Sequence, residues 1–175
     1  MRRPVLFLAL AAVLLTLVVR AQEPQITAAI PACPSTATLD QLIAAIDAAV
    51  SGPGNQDRTC FRQLFTPDAR LIPIRIAADG IATPRILTVQ DWIDAVAKRG
   101  ALVFYERQIK VRTETWGHIA HMWSTYETRT APDGKALDRG INSIQAVYDG
   151  KQWHVQEILW QAETPIDPIP EKYLP

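Results

Sequence analysis

Apolar positions recur at helical spacing in the first half of the chain and in strand-like alternation in the second. In TLDQLIAAIDAAVSGPG, Leu39, Leu42, Ile43, Ile46 and Val50 fall on one helix face. Thr38 is placed to cap that helix, and Gly52-Pro53-Gly54 to stop it. A second, shorter helix is predicted over NQDRTCFRQLF, ending at Thr66-Pro67. ARLIPIRI then reads as a strand, with Pro73 pointing to an edge position. After a loop containing Asp79-Gly80 and Pro84, TVQDWIDAVAKRG predicts a third helix, capped by Thr88 with Gly100 just past its end.

Beyond Gly100 the period changes. Residues 101–115, 117–130, 139–148 and 152–161 form long segments rich in aromatic and β-branched side chains. APDGK and DG separate the last three, as hairpin turns do. The tail ETPIDPIPEKYLP holds too many prolines for helix or sheet and is expected to run extended over the surface. Helices followed by an antiparallel meander predict an α+β domain, with three N-terminal helices packed in a strongly curved antiparallel sheet.

The N-terminus reads as an export signal. MRRP supplies a positive start, Val5 to Val19 is apolar apart from one Thr, and VRA ending at Ala21 suits a signal peptidase. The alternative is an uncleaved anchor, for which the run is short against the ~20 residues of a spanning helix. Residues 1–21 are therefore read as a signal peptide and 22–37 as a poorly ordered lead-in. The domain itself is assigned to 38–163 and an extended tail to 164–175. Cleavage removes Arg2, Arg3 and Arg20 and no acid, leaving 15 basic against 18 acidic residues. With no basic stripe, nucleic acid is not an expected partner. No membrane association is expected after cleavage, and the compartment is periplasm or medium. Export makes a Cys33–Cys60 disulfide the economical reading, the alternative being one buried and one exposed thiol.

The order helix–helix–strand–helix–four strands resembles the cone-shaped fold of the nuclear transport factor 2-like superfamily, over roughly Leu39 to Glu163. LFTPDARLIPI is similar to the place where that fold's second helix breaks into its first strand. RGINSIQAVYDGKQWHV resembles its last hairpin, in which a DG turn precedes a Trp-led strand. Among its members the chain most resembles small exported SnoaL-like bacterial proteins. The resemblance implies a pocket at the open end of the cone and, in many members, dimerisation through the convex sheet face. The superfamily mixes enzymes, binders and assembly hubs, so the fold alone does not assign a function.

GHIAHMWSTYE holds two of the three histidines. Successive strand side chains point to opposite faces, so His118 and His121 cannot both grip one ion without a bulge. His154 is expected two strands from His121, nearly 10 Å away at about 4.8 Å per strand. No metal site and no cofactor are expected. One face carries Ile119, His121, Trp123, Thr125 and Glu127; the other carries His118, Ala120, Met122, Ser124 and Tyr126. A turn about Asp133 sets Glu127 opposite Arg139, His121 opposite Gln145, Trp123 opposite Ser143 and Thr125 opposite Ile141. That register gathers His121, Trp123, Glu127, Arg139, Ser143 and Gln145, the expected pocket face. Met122, Tyr126 and Ile144 are then expected on the convex face, in a homodimer contact. Glu106, in FYERQIKVRTE, has charged neighbours on both faces and is left unplaced.

Three classes of function follow. The first is an exported binding domain whose pocket, lined by Trp123, Arg139, Ser143 and Gln145, takes a small apolar or amphipathic ligand. The second is a cofactor-independent isomerase, lyase or cyclase with His121 as general base and Glu127 in reserve. Against the second stands the lack of an evident oxyanion donor, and of the Asp that the ketosteroid-isomerase-like enzymes carry on the comparable strand. A filled cone serving as an accessory or assembly domain is a third possibility. The sequence has no GxSxG, no Walker-type loop and no Cys nucleophile with an evident partner.

Overall fold

The protein was analysed as a computed structural model that describes residues 32–175. The expected signal peptide, and the lead-in up to Pro31, lie outside the described residues. Helix α1 spans Leu39–Val50, α2 Thr59–Gln63 and α3 Val89–Ala97. Thr38 caps α1 reciprocally: its hydroxyl accepts from the Gln41 N–H, and the Gln41 side chain accepts from the Thr38 N–H. Thr88 and Asp91 repeat the arrangement at α3.

Seven strands follow in one sheet: β1 (Gly52–Pro53), β2 (Phe65–Ile76), β3 (Ala82–Pro84), β4 (Val103–Trp116), β5 (Ile119–Arg129), β6 (Asp138–Tyr148) and β7 (Trp153–Ala162), in the order β1–β4–β5–β6–β7–β2–β3. The four long strands are a meander, as their spacing predicts. The sheet is nonetheless mixed, because β2 pairs parallel with β7. The pieces read as a helix stop and a loop form β1 and β3, too short to show any period in the sequence. Pro73 does not lie on a free edge: Leu71 exchanges hydrogen bonds with Leu87, and the Pro73 carbonyl accepts from the Arg85 N–H at 3.1 Å.

The core lies between α1, α2 and one face of the long strands. Leu42, Ala45 and Ile46 of α1 and Phe61 of α2 pack with Ala120 and Met122 of β5, Ile144 and Ala146 of β6, and Val155 and Ile158 of β7. Met122 and Ile144 are wholly buried. Register shifts between Gln108 and Lys110 in β4, and between Gln145 and Ala146 facing β7, bend the sheet around this core.

Both ends of the described chain are tied down. A disulfide joins Cys33 to Cys60, and the buried Thr36 hydroxyl donates to the Trp153 carbonyl at 2.8 Å. Residues 33–36, expected to be poorly ordered, are thus anchored. The Pro-rich tail returns across the sheet's other face and ends in a short 3-10 turn, Glu171–Tyr173. There Thr125 donates to the Tyr173 carbonyl at 2.6 Å, Arg112 to Lys172 at 3.2 Å, and the Lys110 ammonium to Leu174.

Candidate functional site

The β5–β6 register pairs Glu127 with Arg139, His121 with Gln145, Trp123 with Ser143 and Thr125 with Ile141, as the turn at Asp133 predicts. The orientation is the reverse of the expected one. Met122, Tyr126 and Ile144 face the helices, so they cannot form a convex dimer contact, while His121, Trp123, Ser143 and Gln145 lie on the outer face. Alternation separates two faces but does not say which one meets the helices. The stronger signal was the unbroken apolar set Ala120, Met122, Ile144 and Ala146.

On that outer face the predicted residues fall into separate groups, with His121 beside Ser143 and Trp123, and Glu127 and Arg139 turned to other partners. His121 Nε2 stands 3.4 Å from the Ser143 hydroxyl, and its ring meets Trp123 edge-on. Glu127 does not pair with Arg139; Arg107 and Arg129 hold it instead, each at 2.5 Å. Burial pushes the Glu127 carboxyl up, but hydrogen bonds from Arg129 and Arg107 outweigh it and hold it below its ordinary range. Arg139 turns to Glu163 at 2.8 Å. Trp123 and Ser143 do line a groove of about 360 Å³, together with Ile141, Leu159 and the tail at Pro168 and Ile169. This groove lies under the tail and outside the cone.

Inside the cone is a smaller cavity of about 130 Å³. Its walls are Ile46 and Val50 of α1, Phe61, Phe65, Leu71, Trp92, Phe104, Ile158 and Trp160, with Glu106, Asn142 and Arg99 as the polar members. Phe61 stacks on Trp92 with ring centres 4.2 Å apart. Glu106 reaches the cavity because Phe104, Glu106 and Gln108 point inward on β4. The register shift at Ile109 then sends Lys110 and Arg112 outward, where the tail meets them. That bulge explains why alternation could not place Glu106.

A polar network surrounds the carboxyl. Glu106 Oε1 accepts from Gln108 Nε2 at 3.1 Å and from Asn142 Nδ2 at 3.3 Å; Oε2 makes no hydrogen bond to the described residues. Gln108 in turn donates to Asp47 of α1 through its backbone and its side chain, both at 3.0 Å, and accepts from Ser124. Burial raises Glu106 to about 7; the Asn142 hydrogen bond opposes this and the Asp47 charge reinforces it. Asp47 is also raised, chiefly by burial. Tyr126 is raised by burial and by the Glu106 charge, so its hydroxyl stays protonated. Among the described residues no cluster of His, Cys, Asp and Glu is arranged to hold a metal.

No protein-family model matches the sequence, and no curated protein matches it significantly. Solved structures do match. A protein of unknown function with a cystatin-like fold from Nostoc punctiforme is 12% identical with a TM-score of 0.57, over 73% of this chain and 90% of that one. A protein of unknown function from Mycobacterium tuberculosis is 18% identical with a TM-score of 0.55, over 74% and 73%. An NTF-2-like protein of unknown function from Silicibacter pomeroyi is 14% identical with a TM-score of 0.50, over 71% and 92%. Likeness at such low identity speaks to architecture, and the architecture is plain: the described chain has the nuclear transport factor 2-like, cystatin-like cone fold.

Proposed function

We propose that the protein binds a small, largely apolar molecule in the cone cavity, with Glu106 as the titratable group of the cavity's inner wall. The observation that carries this reading is the placement of Glu106. A carboxyl raised to about 7 lines an aromatic and aliphatic cavity, with one oxygen held by two amides and the other uncommitted. A concave apolar site with few polar groups is the usual form of a small-ligand site. The cavity volume favours this over a filled cone with a purely structural role. The disulfide supports the export reading of residues 1–21, since such bonds persist in oxidising compartments.

A second reading is cofactor-independent proton transfer with Glu106, not His121, as the base. It is favoured by the same carboxyl, because a base poised near neutral pH suits that chemistry. Tyr126, kept protonated beside it, is the available hydrogen-bond donor.

The test is amide and side-chain shift mapping by NMR with a single-ring phenol such as p-cresol. Perturbation centred on Glu106, Asn142 and Trp92 supports the cone. Perturbation centred on Trp123 and Ser143, or none at millimolar probe, contradicts it.

A further inference from the structure

The cone cavity is electrically polarised. At one end the acids gather: Asp47 stands close enough to Glu106 for its charge to raise that carboxyl, with Arg107 acting on Asp47 from the other side. Elsewhere on the wall is Arg99, an exposed residue just past α3, whose guanidinium lies over the Phe104 ring, 5.4 Å from its centre. Arg99 forms no ion pair with the described residues. The acids of α3 are committed elsewhere: Asp91 accepts from Thr88, and Asp94 accepts from Gln90.

A second guanidinium adds to the positive end. Arg58 is buried, donates to the carbonyls of Ala49 and Pro53, and lies over Trp92, 5.6 Å from the ring centre. Burial and then the charge of Arg99 lower its pKa, which places the two cations within each other's field. Neither has a carboxylate partner among the described residues, and Arg58 Nε is buried without any acceptor. Arg58 is spent on backbone carbonyls, whereas Arg99, exposed at the cavity wall, has its guanidinium available to an anionic group of a ligand.

Gly54 fixes the geometry at this end. A Cβ there would lie 2.5 Å from the Val96 carbonyl oxygen and 2.9 Å from Arg99 Cβ. The absence of a side chain lets the chain after α1 close onto Arg99.

We propose that the ligand of the cone cavity is a small carboxylate, its acid group paired with Arg99 and its apolar body directed inward between Phe104, Trp92 and Trp160. The inference rests on the cone-binding reading and adds the chemical class. An inward carboxylate is disfavoured by Glu106 and Asp47, which sets the orientation. The volume of about 130 Å³ sets the size. A cavity of about 150 Å³ holds a benzene ring, so the body is one ring or roughly five to seven aliphatic carbons.

The test is calorimetry and ligand-observed NMR at low salt with phenylacetate and its neutral isostere phenylacetamide, on the wild type, Arg99→Gln and Arg99→Lys. The expected result is a preference for phenylacetate of about fivefold in the wild type, the size of one solvent-exposed charge pair. The preference is lost in Arg99→Gln and partly kept in Arg99→Lys, while phenylacetamide binds all three proteins alike. Equal binding of both probes to the wild type, or a preference that survives Arg99→Gln, overturns the carboxylate assignment and leaves the cone reading standing. Binding of neither probe overturns both.

Discussion

Asn142 of β6 donates to Glu106 of β4 at 3.3 Å, side chain to side chain, although β5 runs between the two strands. Opposite Asn142 on β5 is the small Ser124, and the Gln108 side chain lies over it, accepting from Ser124 and Asn142 and donating to Glu106. The network therefore depends on strand order and curvature together. It gives the half-buried Glu106 carboxyl two amide donors.

Glu106 ties stability to pH with a definite sign. Its carboxyl titrates near 4.5 when free and near 7 in the fold. Between those values the unfolded chain has released a proton that the folded protein still holds, so stability falls as pH rises through the window and levels off above it. The full loss is roughly 3 kcal/mol, at 1.36 kcal/mol per pKa unit. Glu106→Gln keeps a carbonyl acceptor for both amides and lacks the titration. Urea unfolding from pH 4.5 to 8 is expected to show the wild type losing stability relative to the variant. Asp47 is raised too but titrates in both proteins, so it largely cancels in the difference.

Gly140 is expected to tolerate no side chain. A Cβ there would lie 2.3 Å from the Tyr126 hydroxyl and 2.4 Å from the Gln161 carbonyl oxygen, one of them backbone. Gly140→Ala should destabilise by about 2 kcal/mol or more, as overpacking of a close-packed interior does. Denaturant unfolding checks this, and a neutral result would mean that β6 and β7 are less closely apposed than described.

The Cys33–Cys60 bond closes a loop with a sequence separation of 27 residues. Chain-entropy arguments give about 3.5 kcal/mol for a loop of that length. The paired Cys33→Ser, Cys60→Ser variant should lose about that amount in equilibrium unfolding. Reductant should lower the wild-type midpoint and leave the variant unchanged.

The tail is expected to stabilise the outer face without serving the cone. Tyr173 packs against Trp123 with ring centres 5.8 Å apart, and Arg112 lies over its ring. Tyr173→Ala should lower stability by about 1–2 kcal/mol and change the Trp123 environment in near-ultraviolet circular dichroism. Neither this variant nor His121→Ala should alter probe binding in the cone. A loss of binding in His121→Ala would restore the outer face as the site.

Much of the architecture was legible in the sequence, for identifiable reasons. Thr38 and Thr88 start helices by reciprocal capping, and Asp149-Gly150 turns β6 into β7, with the Asp149 carboxylate accepting from the Lys151 and Gln152 N–H groups. The turn at Asp133 fixed the β5–β6 register residue by residue. The site was not legible. Which face meets the helices is a tertiary choice, and the outer face looked pocket-like because the tail that covers Thr125 and Trp123 gives it a mixed, partly buried character. Glu106 was hidden by the irregularity at Ile109, since a strand period carried through that point places Glu106 with Lys110 and Arg112. Phe104 and Gln108, two residues to either side, share its inward direction; the reversal beyond them appears only when β4 is paired with β5.

The measurement that bears most directly on the cone as the functional site is a carbon-detected NMR titration of the Glu106 side-chain carboxyl in the wild-type protein, with and without phenylacetate. The structure calls for a midpoint near 7 in the free protein, and for a shift of that midpoint when the probe occupies the cavity. A midpoint near 4.5 that the probe does not move would contradict the account, because Glu106 would then be a solvated carboxylate outside any binding site.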